Sequence, residues 1–196
     1  MNRKIVMAAS LVYVLFMAYN CIDYYQAGYS FKASVAFAGI LCGLFPLFLS
    51  FFARLTFNLP LTFSYLIFLV ASQYLGSIRG WYGLGWWDTF LHGLSGIILG
   101  FTAVALYERL THRSAGPEIS SWFIFLFIFS FAALCGVIWE IYEFSSDQLF
   151  GTTLQGGGNT DTMTDLIADT IGGLLVAIWS GIRTQVKHHA SKSPTQ

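Results

Sequence analysis

Three clusters of ionisable residues stand in or beside apolar runs of this chain: Asp88-x-x-x-His92, Glu140-x-x-Glu143, and Asp161-x-x-x-Asp165-x-x-x-Asp169. Steps of three and four put each cluster on one face of a helix. Ionisable groups are costly in apolar surroundings and mark functional positions by default. Asp88 is placed to hold the ring of His92, or to share a metal ion with it. Glu140 with Glu143, and Asp165 with Asp169, supply further carboxylate oxygens. Oxygen-rich sets suit Mg²⁺, Mn²⁺ or Ca²⁺, and one histidine among carboxylates also admits Zn²⁺ or iron. His92, Glu140, Asp165 and Asp169 are the expected ligands or acid–base groups, with a divalent cation as the expected cofactor. Asp88 is the expected orienting partner of the ring, and Glu143 an outer carboxylate close to water. At 1.5 Å per residue, His92 lies about 6 Å deeper than Asp88, and Asp169 about 6 Å deeper than Asp165.

The segment Gly151-Thr-Thr-Leu-Gln155-Gly156-Gly-Gly-Asn159-Thr-Asp161 contains no Lys or Arg. Its glycines permit positive φ and close approach of the backbone, as a lid or an anion-binding nest requires. Gln155, Gly156, Asn159 and Asp161 are its candidate contacts, and it leads into a helix N-terminus that attracts anions. The P-loop lysine is missing, so nucleotide binding is not indicated. The plainer reading is a flexible hairpin with Thr160 or Asp161 as the cap of the next helix. Ser95 has only His92 as a base, and a Ser–His hydrolytic pair is not expected there.

The elements that position these residues follow from composition. Hydrophobic residues make up 56% of the chain and charged residues 10%, which is too much apolar surface for a soluble domain of 196 residues to bury. A spanning helix needs about 20 mostly apolar residues, and six stretches qualify: 4–22, 33–52, 59–78, 87–107, 121–144 and 162–182. These runs are continuous rather than alternating, which excludes membrane strands. The expected fold is all-α, a compact bundle of six transmembrane helices forming one domain over 1–186, with its polar site in 86–173 and a polar tail at 187–196. The first span lacks a small-residue cleavage site and is expected to be retained. Pro46 should kink the second span, while Pro60 opens the third harmlessly. Gly39-x-x-x-Gly43, Gly96-x-x-x-Gly100, Ala132-x-x-x-Gly136 and Ala168-x-x-x-Gly172 are helix-contact patterns. Cys21, Cys42 and Cys135 fall in apolar segments without metal-type spacing and are expected to pack as small hydrophobes.

With the N-terminus inside, the inner segments hold Arg3, Lys4, Arg54, Arg109, Arg113, Arg183, Lys187 and Lys192, and the outer ones only Lys32 and Arg79. This bias predicts that both termini are cytoplasmic and that the acidic clusters lie toward the outer face. Trp86 and Trp87 at one end, and Trp122 and Trp179 at the other, are expected interfacial anchors. His188 and His189 belong to the solvated tail. A net charge of zero without a long basic run argues against nucleic acid as a partner.

Trp87-Asp88-Thr-Phe-Leu-His92, Trp139-Glu140-Ile-Tyr-Glu143, and Gly151-Thr152 through Gln155-Gly156 to Asp161-Thr162-Met163-Thr164-Asp165 resemble bacterial inner-membrane proteins of the YjdF type. These are distantly similar to the VanZ-like family, named for glycopeptide (teicoplanin) resistance. The resemblance covers 86–173. The VanZ-like pattern has Asp-x-x-x-His, Glu-x-x-Gln, an Arg, and then Asp-x-x-x-Asn-x-x-Gly. Here Glu143 stands for Gln, Asp169 stands for Asn, Gly172 is kept, and no Arg lies between Glu143 and Asp165. The resemblance implies a multi-pass protein of the bacterial inner membrane and leaves the chemistry open.

The expected function is a cell-envelope protein whose outward-facing His/carboxylate pocket binds a cation and acts on a lipid-linked or envelope substrate. Carboxylates with a metal can activate water or clamp phosphate. Two other classes fit the same residues: a proton- or cation-coupled transporter, and a non-catalytic assembly or sensing module. The first is disfavoured because spans one to three carry almost no interior charge to continue a pathway.

Overall fold

Long apolar runs without turn residues must satisfy their own backbone hydrogen bonds, and in lipid a helix does so within one segment. The computed structural model describes residues 2–52, 58–111, 120–156 and 158–192, with side chains except those of residues 2, 50 and 186–192. Arg54, Arg113 and Gly157, the side chains of His188 and His189, and residues 193–196 therefore lie outside the described residues. The elements are α1 (Asn2–Gln26), α2 (Ser30–Phe51), α3 (Leu59–Leu69) continued by a π-helical stretch (Val70–Ile78), a 3₁₀ turn (Trp81–Leu84), α4 (Trp87–Thr111), α5 (Ser121–Phe150) and α6 (Asn159–Lys192). Six helices are long and apolar enough to cross a membrane, and no strand occurs among the described residues. The fold is all-α.

Several helices outrun the expected spans. α5 reaches Phe150 rather than 144, and α4 reaches Thr111 rather than 107. The apolar count measures what must be in lipid, whereas a helix continues into water until a stop residue ends it. Gly151, at φ 64°, ends α5, and its N–H bonds the Asp147 carbonyl at 3.1 Å. α6 starts at Asn159, so Thr160 and Asp161 fall in its first turn instead of capping it.

Two compact units divide the chain, Met1–Leu91 and His92–Gln196, with the boundary inside α4. In the first, Tyr13, Met17, Ala36, Leu66, Leu69 and Ile78 form the core. Gly39 lets α2 close onto Met17, and Gly43 lets it close onto Tyr13. Polar atoms find partners inside this apolar unit: the Tyr13 hydroxyl donates to Oε1 of Gln73 at 2.8 Å, and the Tyr65 hydroxyl to the Cys42 carbonyl at 3.0 Å. Asn58 caps α3 by accepting from the Leu61 N–H at 3.0 Å, with Pro60 in the first turn as expected. Pro46 lies fully buried inside α2. Trp87, expected as an interfacial anchor, is instead buried against Ala71 and Leu91, its indole N–H bonding the Ala71 carbonyl at 3.3 Å. Trp86, Trp122 and Trp179 remain exposed.

In the second unit one stripe of each helix is buried. On α5 it runs Ile124, Ile128, Ala132, Gly136, Glu140, Glu143 and Ser146, steps of three and four that keep to one face. Ala103, Ile124, Ile128, Val176 and Ala177 make the apolar core. The small-residue patterns act as contacts. A Cβ on Gly96 would collide with the Asp169 carbonyl oxygen, and one on Gly172 with the Gly93 carbonyl oxygen. Gly173 similarly faces Ala132, and Gly100 faces Val176. The backbones of α4 and α6 thus meet with nothing between them.

Gly172→Ala should therefore destabilise the protein by about 1–3 kcal/mol, the range for overpacking, because backbone cannot move aside as a side chain can. Gly83→Ala is the control, since nothing lies within 4 Å of a Cβ there. Thermal melts in detergent should show a clear drop for the first and almost none for the second.

Candidate functional site

The close approach of α4 and α6 brings their ionisable residues together. Nδ1 of His92 lies 2.8 Å from Oδ2 of Asp169, and the Ser95 hydroxyl bonds Oδ1 of the same carboxylate. Asp169 is 1% exposed and His92 7%, so this pair is buried. The contact pairs Nδ1 with the Asp169 carboxylate and leaves Nε2 on the other side of the ring. Gly136 of α5 leaves the space that the Asp169 carboxylate fills, for a Cβ there would stand 2.9 Å from Oδ2.

Nε2 faces Oε1 of Glu140 at 3.9 Å. Neither oxygen of the buried Glu140 carboxylate has a hydrogen bond of ordinary geometry among the described residues. Its polar neighbours are the Thr162 hydroxyl, the His92 ring and the carboxylates of Asp165 and Asp169. Asp165, one turn before Asp169 on α6, is 1% exposed, and one of its carboxylate oxygens lies within 4.8 Å of a His92 ring nitrogen. His92, Glu140, Asp165 and Asp169 are thus gathered around one ring. Asp88 lies one turn before His92 on α4, in the part of that helix belonging to the first unit.

Two roles differ from those expected. Asp169 holds Nδ1 of His92, the orienting task expected of Asp88, because the glycine contacts carry α6 against this turn of α4. Glu143 is no outer carboxylate: it is 7% exposed, and its Oε1 accepts from the indole of Trp139 at 2.9 Å. It sits on the buried stripe of α5, three residues after Glu140, so burial follows helical phase rather than distance from the end of the apolar run.

Asp147 is a further functional position, outside the three acidic clusters. Its carboxylate accepts from the Thr152 hydroxyl at 2.6 Å, the Leu154 N–H at 2.8 Å and the Gln155 N–H at 3.0 Å. An aspartate four residues before a helix-ending glycine, followed by two threonines, is the local signal that was available. The loop is therefore pinned, not a flexible hairpin. Gln155 reaches onward, its Nε2 donating to the Thr162 hydroxyl at 2.6 Å, and Thr162 neighbours Glu140. Gly156 and Asn159 are exposed and Asp161 half-buried; their side chains are not gathered at His92 by any described contact.

Three features define what this arrangement can do: an imidazole held at Nδ1 by a buried carboxylate, a second ring nitrogen facing a carboxylate oxygen, and low exposure. His92, Glu140 and Asp165 can hold a cation through nitrogen and oxygen, with Asp169 fixing the ring from behind as carboxylates do for metal-bound histidines. The Ser95 hydroxyl is committed to Asp169 and to the His92 carbonyl, at 2.9 Å, so it is not a nucleophile activated by the ring.

An all-helical chain with six apolar helices and buried acids is a polytopic membrane protein, and comparison with known sequences agrees. Residues 5–185 match the family described as Predicted membrane protein (DUF2238), and the chain belongs to that family. Over 112 residues it is 30% identical to an uncharacterised protein of Thermotoga maritima, a match taking in 54% of this chain and 56% of that protein. The chain thus spans little more than half the length of that relative. No solved structure matches it.

Asp147→Ala should release the 151–155 loop without unfolding the helices, since it removes three hydrogen bonds confined to that loop. Amide exchange at Leu154 and Gln155 should quicken by about tenfold or more, at about 1.5–3 kcal/mol for hydrogen bonds to a charged group, while α4 and α6 amides keep their protection.

Proposed function

We propose that His92, Glu140 and Asp165 bind a divalent cation, with Asp169 orienting the ring. The cation serves chemistry on a lipid-linked or envelope substrate. The observation that carries this reading is the 3.9 Å approach of Nε2 to Oε1 of Glu140. Carboxylates gathered around one imidazole in a buried place repel one another unless protons or a cation lie among them. Donors that share one cation at about 2.0–2.2 Å from each stand about 3–4 Å apart, which suits the observed separation. No Lys or Arg occurs from Ser114 to Ile182 to neutralise the acids. A bound cation would also replace the missing basic clamp for a phosphate or carbonyl oxygen.

Below Asp169 the second unit is lined by Gly100, Ala103, Ile128, Val176 and Ala177. That apolar floor favours a site entered from one face over a path for transported ions. The site is proposed to open to the outer face of a bacterial inner membrane, both termini cytoplasmic, on the strength of the Lys/Arg bias. The resemblance to YjdF-type and VanZ-like proteins supports an envelope role.

Purified protein dialysed against Zn²⁺, Mn²⁺ or Mg²⁺ should retain about one equivalent of one of them. His92→Ala and Asp165→Asn should abolish retention, and Asp169→Asn should weaken it by 10- to 100-fold, the range for partners that orient a ligand, with its melting temperature preserved. Wild-type protein that is folded yet holds none of these ions would sink the proposal. A turnover screen over lipid-linked phosphates then identifies the substrate.

Orientation has its own check. In a background lacking Cys21, Cys42 and Cys135, a cysteine at the exposed Asn159 should react with an impermeant thiol reagent on intact cells. Labelling only after lysis would put the site on the cytoplasmic face.

A further inference from the structure

At the far end of the second unit, Val104, Tyr107 and Glu108 of α4, Ile124 of α5, and Trp179, Ser180, Arg183 and Thr184 of α6 line a notch of about 50 Å³. Glu108 is sixteen residues beyond His92, about 24 Å along the helix, so the notch lies near the opposite boundary of an apolar layer about 30 Å thick. Ser180 is 5% exposed, and its hydroxyl has no hydrogen-bond partner among the described residues. A buried hydroxyl left unpaired is unfavourable by about 1–3 kcal/mol. Serines inside helices usually bond back to the carbonyl four residues earlier, as Thr184 does to Ser180 at 2.9 Å; Ser180 does not.

Charges of both signs line the same notch. The Arg183 guanidinium lies over the Trp179 ring, 5.2 Å from its centroid, which fixes its plane and leaves its edge N–H groups to bind. Glu108 stands on the α4 side, and no ion pair joins it to Arg183 among the described residues. A lone anion would meet the carboxylate, and a lone cation the guanidinium. A ligand carrying an ammonium and a phosphate on a short link satisfies both, offers an oxygen to the Ser180 hydroxyl, and continues into the aliphatic and aromatic walls.

We propose that this notch binds the headgroup of a zwitterionic phospholipid, the phosphate on Arg183 and Ser180 and the primary ammonium on Glu108. The site is separate from the His92 cluster and does not depend on its function. The test is lipid retention, read by native mass spectrometry of protein exposed in detergent to equal phosphatidylethanolamine and phosphatidylglycerol. Wild-type protein should favour phosphatidylethanolamine by about tenfold, the worth of one charge-assisted hydrogen bond. Glu108→Gln should erase that preference while phosphatidylglycerol still binds. Arg183→Gln should lose both lipids, and Ser180→Ala should weaken both severalfold. Should Arg183→Gln fail to fold, Arg183→Lys serves, because it keeps the charge but loses the planar fork, and retention should fall severalfold. Equal retention of the two lipids by wild-type protein would overturn the proposal, as would a preference untouched by Glu108→Gln. Stabilisation by soluble glycerophosphoethanolamine as strong as by the lipid would also overturn it, assigning the notch to a soluble ligand.

Discussion

A carboxylate with 1% exposure, in a helix apolar enough to cross a membrane, persists only with close partners, and Asp169 has them in His92 and Ser95. Those partners are within reach because α4 and α6 touch backbone to backbone. Gly93, Gly96 and Gly172 supply no side chains at the crossing, and Gly136 yields the volume the carboxylate needs from α5. In lipid, hydrophobic burial does not drive helices together, so close packing and interhelical hydrogen bonds must do so. The glycines and the Asp169–His92 bond are accordingly one device. Small residues permit the approach, and the approach makes the bond short enough to offset the burial of charge.

From that bond the rest of the site follows. Once Asp169 fixes Nδ1, the direction of Nε2 is set, and what lies ahead of it is Glu140. Glu140 and Glu143 occupy the same α5 stripe that buries Ile124, Ile128 and Ala132 lower down, so one helical phase serves as core at one level and as site at another. The loop that follows is tied to this stripe from both sides. Asp147 binds its first residues, and Gln155 binds Thr162 at the start of α6. The spacing of α5 and α6 at the acidic end is thereby held by side-chain hydrogen bonds rather than by apolar packing.

What the sequence made legible was periodicity and charge. Six apolar runs gave six helices, with the third bounded at Leu59 and Ile78 as expected. The three acidic clusters named the residues that now surround His92, because ionisable groups at helical spacing in apolar surroundings are rare. Partner choice was not legible. Asp88 and Asp169 both suit His92 on chemistry, and only the depth of the α4–α6 crossing decides that Asp169 takes Nδ1. Glu143 was read as wet from its distance along the run, when helical phase buries it. Trp87 was read as an anchor from its neighbour Trp86, yet consecutive helix residues face different ways, and Trp87 turns toward Ala71. Nor does hydropathy predict the π-helical stretch Val70–Ile78, which leaves composition unchanged while widening the turn.

The second unit is polar at both ends and apolar between, and the two ends differ in kind. Around His92 the groups are carboxylates with no lysine or arginine among the described contacts. The notch that Ser180 lines carries one carboxylate, Glu108, and one guanidinium, Arg183. Electrostatics separates the ligands such places can take. The first gains from a small positive charge that several carboxylate oxygens and one imidazole can share. Gly100, Ala103, Ile128, Val176 and Ala177 lie between the two ends, so among the described residues small and apolar side chains separate the His92 cluster from the Ser180 notch on one three-helix frame.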